Sequence, residues 1–360
     1  MSKSIRIGVI GAGGNTRAKH IPGFQAIAGV EVAAVCNRTK ISGEKVAKEF
    51  GIPLVTENWR EIIESSDIDA VCIGTGPNMH GKLAVAALRA GKHVLTEARM
   101  ARNLAEAEMM LAEARLHPAL VAQIVPAPMS LPFDATIIDF LRSGELGPLR
   151  EVLITCTTDA LADSSLPRTW RQDFVLSGKN TLYLGIYYEM TLRWLGRGVS
   201  ALMADAAVFT KERKDEEGVP WPITIPESVT VLGNYGPSTD SVISLATGSR
   251  LAKGARLVAH FSGVERTAPR NEIRLNGTKA GLRLDLAKNE LWLTRPGESE
   301  KLVEIAPAKR GAWQVEADFI DSIRTGKPVK LTDFETGVDY MHFTDAVWES
   351  WSAFGQRVTL

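Results

Sequence analysis

The sequence predicts an α/β protein. An amino-terminal doubly wound parallel sheet is followed by an α+β domain with a mostly antiparallel sheet. Three observations carry that prediction. In the first third, short β-branched runs alternate with helix-patterned segments. A glycine-rich turn follows the first of those runs. Past residue 126, strand-like runs succeed one another without helices between them. The length of 360 residues suits two domains at roughly 150 residues each.

Taken in order, residues 5–10 form a β-branched run that ends at Gly11. Residues 29–36, 70–74 and 92–96 read as further strands, and 41–50 and 82–90 as helices between them. Residues 121–125 read as the last strand. The segment 126–132 then carries Pro126, Pro128 and Pro132, a composition typical of a domain boundary. The expected domains are therefore 1–125 and 126–360. In the second, 133–142 reads as a helix stopped near Gly144 and Gly147. Strands are expected at 151–157, 228–232, 242–245, 256–261, 272–275, 282–284 and 291–294. The charged stretch 211–218 reads as a solvated loop. Two helices close the chain, at 313–323 with a stripe of Val315, Phe319, Ile320 and Ile323, and at 334–354 with several aromatics.

The charge balance narrows the function classes. Lys+Arg and Asp+Glu are both 42, so the net charge is zero. Binding a nucleic-acid backbone usually needs a basic face, and nucleic acid is not expected as a partner. No apolar run approaches the ~20 residues of a membrane span, and the first residues lead into a strand without a signal-peptide core. Cys36, Cys72 and Cys156 sit in apolar stretches and read as buried thiols of a reducing compartment. The expectation is a cytoplasmic protein. No His, Cys, Asp or Glu set has metal-ligand spacing, so no metal is expected.

The strongest local signal is Gly8-Val-Ile-Gly11-Ala-Gly13-Gly14-Asn15-Thr16. It follows a strand and opens a helix, the context in which such glycines cradle a dinucleotide pyrophosphate. Gly11 suits the tight turn and Gly13 the close approach of the ligand. Thr16 occupies the third glycine position of the fingerprint. The second strand ends in Asn37-Arg38-Thr39-Lys40. An acidic residue there would accept from the ribose hydroxyls of NAD; Asn37 lacks that charge, while Arg38, Thr39 and Lys40 suit a 2′-phosphate. The sequence thus favours NADP over NAD.

With these motifs the chain resembles the Gfo/Idh/MocA oxidoreductases, the family of glucose–fructose oxidoreductase, inositol dehydrogenases and dihydrodiol dehydrogenases. The resemblance runs through Arg17, His20 and Pro22, then residues 75–80, 90–95 and 143–147. It continues through Trp170-Arg171, residues 184–187, and 317–328. It implies a Rossmann domain followed by a domain with a large open sheet. It also implies a sugar or polyol substrate and a homodimer or homotetramer assembled through that sheet. Cofactor contacts carry over to Gly11, Gly13, Gly14, Asn15, Thr16, Asn37, Arg38, Thr39, Thr75, Gly76, Pro77, His80 and Glu97. Substrate contacts carry over to Trp170, Arg171 and Tyr183.

Two departures bear on the chemistry. The family motif Glu-Lys-Pro reads Glu97-Ala98-Arg99 here, without its lysine. A cis bond before a residue other than proline costs ~2.5–4 kcal/mol, so a trans Ala98–Arg99 bond is expected. Tyr183 replaces the family aspartate, and Tyr187 stands where many members carry a catalytic histidine. Tyr187 is the acid/base candidate. A phenol with a reference pKa of ~10 needs a cation or another stabiliser to act as a base near neutrality, and Arg99 and Lys179 are the candidates. The expected function is NAD(P)-dependent hydride transfer to or from a sugar, cyclitol or related molecule. Two other readings stay open. One is a lyase or hydrolase that oxidises a glycoside transiently and retains its cofactor; the other is a non-catalytic dinucleotide sensor.

Overall fold

The computed structural model describes residues 4–236, the backbone of Val242 and Ile243, and residues 247–360. The chain divides into two units. The first comprises Met1–Pro126 and Gln314–Met341, and the second Ala127–Trp313 and His342–Leu360.

The first unit is built on six parallel strands: β1 (Ile5–Ile10), β2 (Val30–Cys36), β3 (Leu54–Thr56), β4 (Ala70–Ile73), β5 (His93–Thr96) and β6 (Ala122–Ile124). Their order is β3-β2-β1-β4-β5-β6, the doubly wound arrangement expected. Ile7, Val9, Ala34, Val35, Val71, Ile73 and Val94 are fully buried, as strands covered on both faces require. The helices are α1 (Ile21–Gln25), α2 (Lys40–Phe50), α3 (Trp59–Ile63), α4 (Pro77–Arg89) and α5 (Leu104–Leu116). Local chemistry starts several of them. The Thr39 hydroxyl accepts from Ser42 N to open α2, and the Asn103 side chain accepts from Glu106 N to open α5.

The expectation of two successive domains needs correcting. The helix α9 (Val315–Thr325) and the start of α10 (Phe334–Ser352) belong to the first unit. The reason is the apolar stripe of α9. Phe319 meets Phe24 edge-on at 6.3 Å, and Gln123 Nε2 donates to Val315 O. Chain 126–360 is thus not one continuous domain.

The second unit holds a large mixed sheet. Its strands are β7 (Leu149–Thr157), β8 (Ala201–Ala207), β11 (Ser228–Asn234), β12 (Val242–Ile243), β13 (Arg250–Ser262), β14 (Asn271–Gly277), β15 (Gly281–Asp285), β16 (Glu290–Thr294), β17 (Lys301–Leu302) and β18 (Val358–Thr359). The path is β17-β16-β15-β14-β7-β13-β11-β8-β18, with β12 on β13. Only β7 and β13 run parallel; the other pairs are antiparallel. Of the expected strand 242–245, residues 244 and 245 lie outside the described residues. The helices are α6 (Asp134–Ser143), α7 (Phe174–Ser177), α8 (Leu184–Leu195) and the end of α10.

The charged stretch 211–218 is largely exposed, as its composition predicts, but it is not all loop. It contains β9 (Glu212–Lys214), paired with β10 (Pro220–Pro222), and Arg213 is buried. The Arg213 guanidinium donates to the carbonyls of Leu161, Asp163 and Leu166 and to Glu227 Oε1. A run of charges can hide one inward-facing arginine when its partners lie far away in sequence.

Candidate functional site

In the first unit, strand order reverses between β1 and β4. Ligands of doubly wound sheets bind outside the carboxyl ends of the strands at such a point. The chain there presents residues 11–16, Asn37, residues 74–77 and residues 97–99.

Gly11 has φ +88°, and a Cβ on it would come within 2.8 Å of Thr75 N. It is a glycine by necessity of the turn. Gly13 and Gly14 are different. Both are exposed; a Cβ on Gly13 would reach only Gly74 O, at 3.8 Å, and one on Gly14 would meet nothing within 4 Å. Packing does not demand either glycine, and the open space over them fits a bound pyrophosphate. Helix begins at Gly14 and contains a π-type turn at Thr16–His20.

Thr16 at the third fingerprint position is buried, and its hydroxyl donates to Gly11 O at 3.2 Å. The close helix–strand approach that a glycine normally allows there is provided from the other side. A Cβ on Gly74, just after β4, would clash with both Thr16 Oγ1 and Gly11 O. Sequence reading missed Gly74, because its partner lies almost sixty positions away.

Asn37 reaches back to the glycine turn, and its Oδ1 accepts from Ala12 N at 2.8 Å. Arg38 is exposed. Thr39 serves as the α2 cap, and Lys40 N donates to Glu57 Oε1. Gly76 caps α4, with Pro77 as its first residue. His80 is fully buried: Nδ1 lies 2.9 Å from Arg99 O and Nε2 2.9 Å from Thr75 O. Burial lowers its pKa against the opposing pull of those carbonyls. The His80 ring thus sits between the carbonyls of two loops and bridges Thr75 to Arg99.

The Ala98–Arg99 bond is cis, which corrects the expected trans bond. The energetic preference for trans is local, whereas this loop is held by distant partners. His80 takes Arg99 O, and Met100 N donates to the Tyr340 hydroxyl at 2.6 Å. Arg99 is buried, at 8 % exposure. Ahead of the bond, Glu97 Oε1 accepts from Asn15 Nδ2 at 2.5 Å and lies 3.1 Å from His20 Nε2. Burial alone would raise the Glu97 pKa, but the His20 and Asn15 contacts outweigh it and hold the carboxyl below its usual range. The other His20 nitrogen, Nδ1, meets Glu316 Oε1 at 2.5 Å. His20 and Glu316 were not among the expected site residues. The signal for His20 was its place in the shared motif; Glu316, 296 positions further on, gave none.

In the second unit, Tyr187 lies in the first turn of α8 and is 4 % exposed. Its ring packs edge-on against Phe261 and Tyr183, and its hydroxyl faces the Cys156 thiol. Burial, reinforced by Cys156 and Tyr183, pushes its pKa far above the usual phenol value. Burial also pushes the Cys156 thiol up to about 11. The Lys179 ammonium pairs with Asp345 at 2.6 Å, and Lys179 O accepts from Trp348 Nε1. Tyr183 is 49 % exposed at the start of α8. Arg171 is exposed and stacks on Trp170 at 4.4 Å; Asp173 pairs instead with Arg168 and caps α7.

An open glycine turn at the switch point of a doubly wound sheet, with a mixed-sheet unit after it, defines a dinucleotide-dependent class of enzyme. Comparisons with known proteins make that specific. The model of the oxidoreductase family with an NAD-binding Rossmann fold matches residues 5–123, and that of the GFO/IDH/MocA C-terminal domain matches residues 135–283. The chain belongs to the Gfo/Idh/MocA oxidoreductases.

It is 30 % identical over 187 residues to dTDP-3,4-didehydro-2,6-dideoxy-alpha-D-glucose 3-reductase of Saccharopolyspora spinosa, covering 52 % of this chain and 54 % of that protein. It is 28 % identical to levoglucosan dehydrogenase of Pseudarthrobacter phenanthrenivorans, covering 59 % and 53 %. The chain thus spans about half the length of these two relatives. The Streptomyces antibioticus 3-reductase matches at 26 % identity over 96 % of this chain and 94 % of its own. Among solved structures, levoglucosan dehydrogenase with NADH and levoglucosan superposes with a TM-score of 0.84 at 21 % identity, covering 99 % of each chain. That likeness establishes the fold. Among the described residues no helix is long and apolar enough to cross a membrane.

Proposed function

We propose that the chain transfers a hydride between a nicotinamide dinucleotide and a sugar, cyclitol or related hydroxylated small molecule, with NADP preferred. The relatives act, by their names, on a nucleotide-linked deoxysugar and on levoglucosan. The preference for NADP rests on Asn37, whose side-chain oxygen is spent on Ala12, beside the exposed Arg38.

The observation that carries the mechanism is the place of Tyr187, buried in the first turn of α8 beside Tyr183 and Phe261. A bound nicotinamide would supply or accept the hydride. Tyr187 would donate its hydroxyl proton, or a hydrogen bond, to the substrate oxygen. Burial favours the neutral phenol, so Tyr187 would serve as a hydrogen-bond donor to the substrate oxygen in either direction of the transfer. Gly13 and Gly14 would receive the pyrophosphate, while Thr75, Gly76 and Pro77 would line the same edge. Trp170, Arg171 and Tyr183, all exposed, would meet the substrate hydroxyls. A homo-oligomer would form through the open face of the mixed sheet, where Met203 and Leu232 sit opposite each other, both exposed.

The test is Tyr187→Phe. Turnover of NADPH with a panel of keto sugars should fall at least 100-fold while NADPH binding stays within threefold. Full turnover by the variant sinks the assignment. Parallel titrations with NADH test the cofactor preference, and NADH binding tighter than NADPH refutes it.

A further inference from the structure

Glu97 stands at the end of β5, on the edge where the dinucleotide would bind. Two side chains converge on its Oε1: Asn15 of the glycine turn at 2.5 Å, and His20 Nε2 at 3.1 Å. The opposite ring nitrogen of His20 faces Glu316 Oε1 of α9 at 2.5 Å. The His20 ring is fully buried, and Glu316 nearly so. Two ring nitrogens facing two carboxylates can both be satisfied only when both donate, which requires the imidazolium. A neutral ring could donate to only one of the two carboxylates; with its proton on Nδ1 it would keep Glu316 and leave Nε2 to accept from Asn15 Nδ2, 3.4 Å away, in place of the bond to Glu97. Even the neighbouring glycine fits this arrangement: a Cβ on Gly23 of α1 would strike the Glu316 carboxylate.

We propose that His20 is a positioning residue for dinucleotide binding: its imidazolium, clasped between Glu97 and Glu316, holds Glu97 and Asn15 in the binding arrangement of the glycine turn. This rests on the reading that the first unit binds the dinucleotide. The charged and titratable groups facing the cluster are consistent with it. Glu97 faces His20 from the β5 loop and Glu316 from α9, while the Cys72 thiol of β4 feels both carboxylates, and His80 adds to the field at Glu97. His80 faces Glu97 as well, but its own burial lowers its pKa. Burial would also lower that of His20, but the bonds to Glu316 and Glu97 prevail and raise it to about 9. The clasp is therefore complete below the ordinary histidine value of about 6.5. It is lost as the pH rises through about 9.

The experiment is an NADH fluorescence titration from pH 6 to 10.5 on the wild-type chain, Glu316→Gln and His20→Gln. In the wild type, Kd should stay level to about pH 8.5 and then weaken about tenfold per pH unit. Glu316→Gln removes one carboxylate and should move that break down by at least one pH unit. His20→Gln should show no break and bind at least tenfold more weakly at pH 7. If His20→Gln fails to fold, the Glu316→Gln shift decides. A ligand-free check is the NMR titration of the His20 ring, which should follow the same shift. A wild type that binds neither NADH nor NADPH at pH 7 refutes the dinucleotide reading, and the proposal falls with it. A wild type that binds, with the same break in Glu316→Gln or with unaltered affinity in His20→Gln, overturns the proposal alone.

Discussion

The pair Arg213–Glu227 sits at 2 % and 0 % exposure in the second unit. Arg213 gives three carbonyls and one carboxylate a donor, while Glu227 Oε2 accepts from Phe209 N and Thr210 N. Removing one partner of such a pair leaves an uncompensated buried charge, at a cost of about 3–5 kcal/mol. For Glu227→Gln, a loss of that order corresponds to roughly 6–20 °C in Tm, at about 2–4 °C per kcal/mol for a domain of 150–250 residues. Arg213→Met should cost at least as much, because the carbonyls of Leu161, Asp163 and Leu166 also lose their donor, at about 1–3 kcal/mol for each that stays dry. The double variant Arg213→Met/Glu227→Leu should lose less than the sum of the two singles, since neither charge is then stranded. Thermal unfolding followed by circular dichroism reads all three. A Glu227→Gln protein that melts within 2 °C of wild type, or strict additivity in the double variant, would refute the reasoning.

Two further outcomes follow from the first unit. Gly74→Ala puts a methyl into Gly11 O and Thr16 Oγ1. It should cost about 1–3 kcal/mol in unfolding and weaken NADH binding at least tenfold, with partial recovery when Thr16 is made glycine. Tyr340→Phe strands the buried Met100 N–H and should lower stability by about 1–3 kcal/mol in denaturant titration. Amide exchange at Met100 should accelerate alongside, and protection equal to wild type contradicts the assignment.

Much of the architecture was legible because its signals are local. The β-branched runs of β1, β2, β4 and β5 and the turn at Gly11 each announce themselves within ten residues. The stripe of α9 was equally plain as a helix, yet its destination was not, since amphipathic spacing tells which face is apolar and not what it meets. The site followed the same rule. Gly11, Gly13 and Gly14 were singled out from spacing alone. Gly74 against Thr16, and Glu316 against His20, are long-range pairs without a local signature. Lys179 read as an available cation because Asp345 lies 166 positions away. The cis bond at Ala98–Arg99 was missed for the same reason, as its anchors are His80 and Tyr340.

The first unit draws on both ends of the chain, and this orders its birth on the ribosome. The six parallel strands are all made by residue 124, but the carboxylate that meets His20 and the hydroxyl that meets Met100 arrive only with Glu316 and Tyr340. Until then His20 lacks the Glu316 carboxylate at its Nδ1, and Gln123 waits for Val315. The whole mixed sheet except β18 is synthesised in the interval. The dinucleotide-binding unit is therefore first to begin and among the last to be completed. A fragment cut at the proline-rich boundary would be an unfinished unit rather than a small version of a whole one.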